Sequence, residues 1–190
     1  MAGWVDQSVS LLILIVALLS VVSIVFMSWS NGISPMPSAS SVRKVVVEIV
    51  EKLPGTGTII EAGSGWGTLA LQLARECDNR KIIGIENSLI PYVVSRIFAR
   101  NDRLSYRFSN IYTYSYSKDS IIVCYLYPGA MQKLAELARQ GRFEGMYLVS
   151  VCFALPGWEP VQVLTCKDLY LTKVYMYRFD FACSGMHRYN

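Results

Sequence analysis

Hydrophobic and polar positions follow two different periods along this chain, and the two periods predict helices and strands in alternation. Apolar residues recur every three or four positions from Val42 to Leu53, which is the pattern of one helix face, and Pro54-Gly55 ends that helix. Short continuous apolar runs follow, as is typical of strands buried on both faces. Strands are predicted over 58–60, 81–86, 104–108, 120–125, 146–153, 161–165 and 171–179, and helices over 68–76, 90–99 and 131–139.

This order of elements predicts an α/β fold. Strand and helix alternate, and two strands then follow in succession. We therefore expect a doubly wound, mostly parallel, Rossmann-like sheet with helices on both faces. The last two strands are expected to form an antiparallel C-terminal pair.

The N-terminal part differs from the rest in hydropathy. Residues 9–27 (VSLLILIVALLSVVSIVFM) carry no charged side chain. As a helix they would be about 28 Å long, close to the hydrocarbon thickness of a bilayer. Trp4 and Trp29 flank the run, where indole rings favour the headgroup region. The pattern predicts a single transmembrane helix, with a buried core helix and a cleaved signal peptide as alternatives.

The distribution of Lys and Arg predicts how this segment is oriented in the membrane. Residues 1–40 contain no Lys or Arg, so all 18 basic residues lie beyond them. By the positive-inside rule, the rest of the chain then faces the cytoplasm. The expected organisation is a membrane anchor over 1–29, a Pro/Ser linker over 30–40 and one domain over 41–190, single-pass in a cell membrane.

Composition also excludes some classes of site. The five cysteines form no C-x-x-C pair and there is a single histidine, His187, so neither a disulfide framework nor a metal site is expected. The formal charge of 41–190 is +5, from 18 basic and 13 acidic residues, without a basic run. Nucleic acid is therefore not an expected partner. The oligomeric state does not follow from the sequence.

The most informative stretch is Glu61-Ala62-Gly63-Ser64-Gly65-Trp66-Gly67, which follows a predicted strand and opens a predicted helix. Glycines in that context let the backbone approach a nucleotide closely. Thr68 stands where a dinucleotide fingerprint has its third glycine, and no G-K-[ST] phosphate loop follows. Glu61 suits a cofactor with a cationic amino-acid tail, and Glu86 ends the next strand, where an acid can accept bonds from ribose hydroxyls. These features together fit S-adenosylmethionine, with an ordinary βα turn as the alternative.

At these residues the chain resembles the class I S-adenosylmethionine-dependent methyltransferases, over about residues 42–180. The resemblance implies that the turn from Glu61 to Gly67 holds the methionine part of the cofactor and that Glu86 holds the ribose. Asn110 and Ile111 stand where the family usually has an Asp that contacts the adenine amine. Asn in place of that Asp departs from the family pattern. The side-chain oxygen of Asn110 can still accept the same bond.

The acceptor is expected beside Tyr125-Leu126-Tyr127-Pro128-Gly129, after the fourth strand. This loop distantly resembles the N-P-P-Y motif of amino-methylating enzymes, with Tyr125 in place of the leading Asn or Asp. Tyr125, Tyr127 and Pro128 are the candidate catalytic residues, because aromatic rings favour a sulfonium or a lysine ammonium by cation–π attraction. The alternative is that both tyrosines only pack at a strand end. No general base is evident.

Three features narrow the resemblance to one group of these enzymes. They are the apolar N-terminal segment, the acceptor loop and the stretch Leu155-Pro156-Gly157-Trp158-Glu159-Pro160. The chain is similar to small membrane-anchored protein-lysine methyltransferases that modify mitochondrial inner-membrane proteins, and to their bacterial relatives. An Arg-rich leader is absent, which favours the bacterial side. The resemblance implies methyl transfer to a protein lysine. A small-molecule or lipid acceptor, or a non-catalytic module that binds S-adenosylmethionine, are the alternatives.

Overall fold

The structure is a computed structural model that describes residues 2–31, 40–55, 57–99 and 101–180. Residues 1–36 and 37–190 form separate compact units, and each is described by itself. Most of the predicted linker over 30–40 lies outside the described residues, and so does His187.

The first unit contains helix α1, Ala2–Asn31. Large apolar side chains between Val9 and Val22 are 45 to 64% exposed, so this surface has no cover within its own unit. Within the part of the chain that the structure describes, no helix is both long and apolar enough to cross a membrane. The transmembrane helix predicted over 9–27 is thus not found among the described residues.

The second unit is an α/β domain in which strands and helices follow in the predicted order. Its helices are α2 (Ser40–Lys52), α3 (Thr68–Glu76), α4 (Leu89–Phe98) and α5 (Pro128–Arg139). Its strands are β1 (Ile59–Ala62), β2 (Ile82–Glu86), β3 (Leu104–Phe108), β4 (Ile121–Cys124), β5 (Tyr147–Val151), β6 (Gln162–Thr165) and β7 (Lys173–Arg178).

The seven strands form one sheet in the order β3-β2-β1-β4-β5-β7-β6. The first five strands pair in parallel, with Glu61 opposite Gly84 on β2 and opposite Val123 on β4. Strand β7 runs antiparallel to both β5 and β6. The doubly wound parallel sheet and its antiparallel C-terminal pair are therefore confirmed. The sequence did not indicate that β7 would lie between β5 and β6.

Burial on both faces explains the continuous apolar runs of the central strands. On one face, side chains of β1, β2 and β4 pack with the buried stripes of α2 and α3. On the other face, the neighbouring side chains of the same strands pack against α5, around Met131 and Leu134. Every residue of β1 and β4 is buried, whereas β6 at the sheet edge is mostly exposed.

The structure differs from the predicted elements at the start of α5. Helix α5 begins at Pro128 and not at Met131, because the fixed φ of proline suits the first helical position and Tyr127 supplies the N-cap. In agreement with the predicted elements, residues 109–120 and 152–161 connect strands without an intervening helix. Aromatic and apolar side chains of these connections, including Ile111, Tyr116 and Leu155, cover the α5 face of the sheet in its place.

Burial at the sheet centre predicts a specific stability difference between two identical substitutions. Val123 on β4 is fully buried and Val163 on β6 is 44% exposed. Val123→Ala should lower the free energy of unfolding by about 2 kcal/mol, through lost transfer energy and the cavity that remains. Val163→Ala should change it by no more than about 0.5 kcal/mol. Urea denaturation measures both, and equal losses would contradict the assignment of β4 to the core.

Candidate cofactor and acceptor site

The glycine-rich turn lies at the carboxyl end of β1, where neighbouring backbone groups hold it. Gly63, Gly65 and Gly67 all have positive φ, at 76°, 51° and 77°. The N–H groups of Gly63 and Ser64 both donate to the Ile85 carbonyl at 2.9 Å, which ties the turn to β2. A side chain at these positive φ values is strained, so the pattern of glycines follows from the path of the backbone.

Glu86, the last residue of β2, organises the same edge of the sheet. One carboxylate oxygen, Oε2, accepts the Gly65 N–H at 2.7 Å. The other, Oε1, accepts the N–H groups of Asn87 at 3.0 Å and Ser88 at 2.8 Å. The buried carboxylate thus connects the glycine turn to the start of α4. A carboxylate has about four lone-pair sites, so an acceptor position is left for a ligand hydroxyl.

The sequence analysis places Glu61 directly after its predicted strand, over 58–60. In the structure, Glu61 lies within the strand and not at its tip. It is the third of the four residues of β1 and is buried. Its Oε2 accepts the N–H of Ala70, in the first turn of α3, at 2.8 Å. Gly67 provides no side-chain cap for that helix, so the Glu61 side chain satisfies one of its free N–H groups from the strand. Burial, and secondarily the charge of Glu86, raise the pKa of Glu61 to about 8.

Tyr106 on β3 is a part of the site that the sequence did not reveal. Its hydroxyl donates to the Gly67 carbonyl at 2.9 Å, and burial raises its pKa. A Cβ at Gly67 would clash with this hydroxyl, and a Cβ at Gly84 would clash with the ring. The ring therefore fits only because two glycines leave room for it. A single tyrosine in a short strand gives no sequence signal for such a contact.

The predicted adenine-contacting residues follow β3. Asn110 is exposed, and its side-chain oxygen accepts the N–H of Tyr112 at 2.9 Å, in a local turn. Ile111 is buried in the core on the α5 face. An amide oxygen can accept a second bond, so the proposed adenine contact by Asn110 stays a prediction.

The acceptor loop lies directly beside the glycine turn. A Cβ at Gly63 would lie 2.8 Å from Leu126 Cδ2, so the loop after β4 touches the turn after β1. Tyr125 follows the last residue of β4 and is 36% exposed. Its pKa is raised, mainly by burial, with smaller effects of Cys152 and Asp168. Tyr127 is half-buried at the N-cap of α5 and Pro128 is the first residue of that helix.

Tyr112 adds another aromatic ring to this region. Burial raises the pKa of Tyr112 to about 12, and neighbouring Tyr127 and Cys124 contribute to the increase. The ammonium of Lys133 lies 5.2 Å from the centre of the Tyr112 ring. An aromatic face beside the acceptor loop thus already attracts a lysine ammonium of the chain itself.

The residues present fit S-adenosylmethionine. Ser64 in the turn carries a buried hydroxyl that has no hydrogen-bond partner among the described residues, and a polar ligand atom would satisfy it. Gly63 and Gly65, on either side of Ser64, are partly exposed, and half-buried Trp66 follows them. With the acceptor position left on Glu86, these groups would hold the amino-acid and ribose parts of the cofactor.

Comparison with known proteins identifies the family. The chain matches the model of the ANTKMT methyltransferase domain over residues 61–162, more than half of its length, and it belongs to that family. No curated protein sequence matches the chain. The family confirms the resemblance to class I S-adenosylmethionine-dependent methyltransferases, and with it the enzyme class and S-adenosylmethionine as the cofactor.

Solved structures share the fold at low sequence identity. An RNA methyltransferase from Salinibacter ruber in complex with S-adenosyl-L-homocysteine is 21% identical, with a TM-score of 0.65, over 77% of this chain and 95% of that one. A human methyltransferase 10 domain containing protein is 9% identical, with a TM-score of 0.58, over 84% and 95%. A TehB-like SAM-dependent methyltransferase from Corynebacterium glutamicum is 11% identical, with a TM-score of 0.50, over 75% and 89%.

The raised pKa of Glu61 predicts how stability depends on pH. Between about pH 4.5 and about pH 8 the unfolded chain releases the Glu61 proton while the folded chain keeps it. The contribution of Glu61 protonation to the free energy of unfolding is therefore complete below about pH 4.5 and is lost as the pH rises through about 8. In urea denaturation of the chain without cofactor, the stability of wild type relative to Glu61→Gln should fall over this range. Gln keeps an oxygen for the Ala70 N–H, so parallel pH profiles would contradict the protonated state.

Proposed function

We propose that this methyltransferase transfers a methyl group to the side chain of a protein lysine. The observation that carries the proposal is that Tyr125 and Tyr127 flank Leu126, which lies against the glycine turn, and that Tyr112 lies near enough to Tyr127 for the two to affect each other's charge. The Lys133 ammonium over Tyr112 is an internal example of the contact that a substrate lysine would make. The resemblance to protein-lysine methyltransferases supports the same acceptor.

The residues of the chain would mainly position the acceptor. When bound, S-adenosylmethionine supplies an activated methyl group on a sulfonium. Glu86 and the glycine turn would fix the cofactor, and Leu126, in contact with Gly63, would set the distance to the acceptor loop. Because its raised pKa keeps the Tyr125 phenol protonated at neutral pH, this residue would orient the lysine by hydrogen bonding and not as an anionic base. The lysine proton would pass to solvent, to which Tyr125 is partly exposed.

We also propose that the enzyme is attached to a membrane through α1. Support comes from the exposed, uncharged apolar side chains between Val9 and Val22, whose contact with water is unfavourable. The absence of Lys and Arg from residues 1–40 favours a domain on the cytoplasmic side. A membrane location would bring the enzyme close to membrane-protein lysines or to lipid acceptors.

Transfer of labelled methyl groups tests the acceptor class. We expect cell membranes incubated with the full chain and methyl-labelled S-adenosylmethionine to yield labelled methyl-lysine after protein hydrolysis. Tyr125→Ala should lower that transfer about tenfold, because it removes both a cation–π contact, which contributes about 1 kcal/mol at a partly exposed site, and the hydrogen bond of the hydroxyl. Tyr125→Phe keeps the ring and loses the hydroxyl, so it should lower the transfer less than Tyr125→Ala does and measures the part that the hydrogen bond contributes.

Other acceptors would give a different distribution of label. Label that resists protease and extracts into organic solvent would show a lipid acceptor, and label released by ribonuclease would show RNA. Either result would refute the protein-lysine proposal. Cofactor binding without transfer to any fraction would favour a non-catalytic binding module.

A further inference from the structure

The hairpin between β6 and β7 ends in a strongly apolar tip. Three consecutive large side chains, Leu169, Tyr170 and Leu171, are 89, 84 and 65% exposed. Such a contiguous apolar group is unfavourable in water and marks surfaces that meet another apolar phase. The methyltransferase site described above uses none of these three residues.

Hydrogen bonds within the tip hold these side chains outward. Asp168 accepts both the N–H of Thr172, at 2.8 Å, and its hydroxyl, and the Asp168 carbonyl accepts the Leu171 N–H at 3.2 Å. The Cys166 N–H donates to the Thr172 carbonyl at 2.7 Å and closes the hairpin below the tip. Leu171 has a φ of 49°, which this bonded turn maintains. The apolar residues are thus displayed on a fixed turn.

Positive charge flanks the tip on both strands. Lys167 and Lys173 are exposed on either side of it. The one acid between them is Asp168, whose two carboxylate oxygens already bond Thr172, and these bonds lower its pKa. An apolar tip with two flanking lysines is complementary to the interface of an anionic bilayer. Tyr170 has the amphipathic ring that favours the headgroup region.

The tip lies at the same edge of the sheet as the acceptor loop. Cys124, which ends β4, pairs with Ser150, and Val151, which ends β5, pairs with Val174 of β7. The Cys152 N–H donates to the Lys173 carbonyl at 2.8 Å. Residues 166–172 therefore extend beyond the carboxyl ends of the parallel strands, where Tyr125 also lies. The effect of Asp168 on the pKa of Tyr125 is consistent with this proximity.

We propose that Leu169, Tyr170 and Leu171 form a membrane-insertion tip that places the carboxyl edge of the sheet on an anionic phospholipid surface. This surface contact is independent of helix α1, which belongs to the other unit. Its consequence, that the acceptor is methylated at the bilayer interface, rests on the proposed function. The lipid contact itself does not depend on the proposed function.

Lipid crosslinking in the full chain tests this contact residue by residue. The photoreactive p-benzoylphenylalanine would replace Tyr170 in one protein and Gln162, exposed at the other end of β6, in a matched control. Both would be irradiated with vesicles of phosphatidylcholine alone or mixed with phosphatidylserine. We expect lipid adducts at position 170 with the anionic vesicles and none above background at position 162.

Charge reversal tests the role of the two lysines. Lys167→Glu and Lys173→Glu should each lower the adduct yield at position 170 by at least about fivefold, because loss of a basic residue near an anionic surface costs about 1 kcal/mol and the new carboxylate adds repulsion. Unchanged yields would overturn the proposed choice of anionic lipid. Adducts only to protein at position 170 would overturn the lipid contact and indicate a protein partner.

A third photoreactive position separates this proposal from the others. Leu12, exposed on α1, reports whether that helix contacts lipid. Adducts at position 12 without adducts at position 170 would overturn the insertion tip and leave attachment through α1 standing. Adducts at neither position would overturn both. Binding of S-adenosylhomocysteine by the same protein is measured separately, so failure of the lipid contact is distinguishable from failure of the methyltransferase assignment.

Discussion

The site depends on one buried carboxylate that bonds three backbone N–H groups. Glu86 holds Gly65 of the turn after β1 and the first residues after β2, so two neighbouring βα connections share one anionic group. Hydrogen bonds to an ionised acceptor contribute more than neutral ones, and a buried acceptor without partners would be costly. If Glu86 binds the cofactor as proposed, recognition of the cofactor and the shape of the turn have the same physical origin.

Two further contacts make the turn a defined surface. Tyr106 bonds the Gly67 carbonyl from β3, and Leu126 packs against Gly63 from the loop after β4. A side chain of β3 and one of the loop after β4 thus meet the turn from the two sides of the β1–β2 pair. Because Leu126 lies between Tyr125 and Tyr127, the same contact that supports the cofactor turn also positions the aromatic acceptor loop. In the proposed function, one sheet edge would therefore hold both reactants.

The fold was largely predictable from the sequence, because apolar runs such as Ile121–Cys124 are buried on both faces and leave little alternative to parallel strands. The order of glycines and acids gave the class of site. Three features were not predictable. The position of β7 depends on pairing between distant segments, the role of Glu61 as a helix cap depends on where α3 starts, and the Tyr106 contact joins residues 39 positions apart. Each depends on tertiary packing that leaves no local pattern.

The central claim is that Glu86 and the glycine turn form the cofactor site. Calorimetric titration of S-adenosylhomocysteine into the full chain tests it most directly, with Glu86→Ala and, as a matched control, Glu51→Ala on the exposed face of α2. Wild type and Glu51→Ala should bind saturably and alike, and Glu86→Ala should bind at least about tenfold more weakly, as expected for loss of bonds to a charged group. Equal affinity in all three proteins, or no binding by folded wild type, would contradict the account.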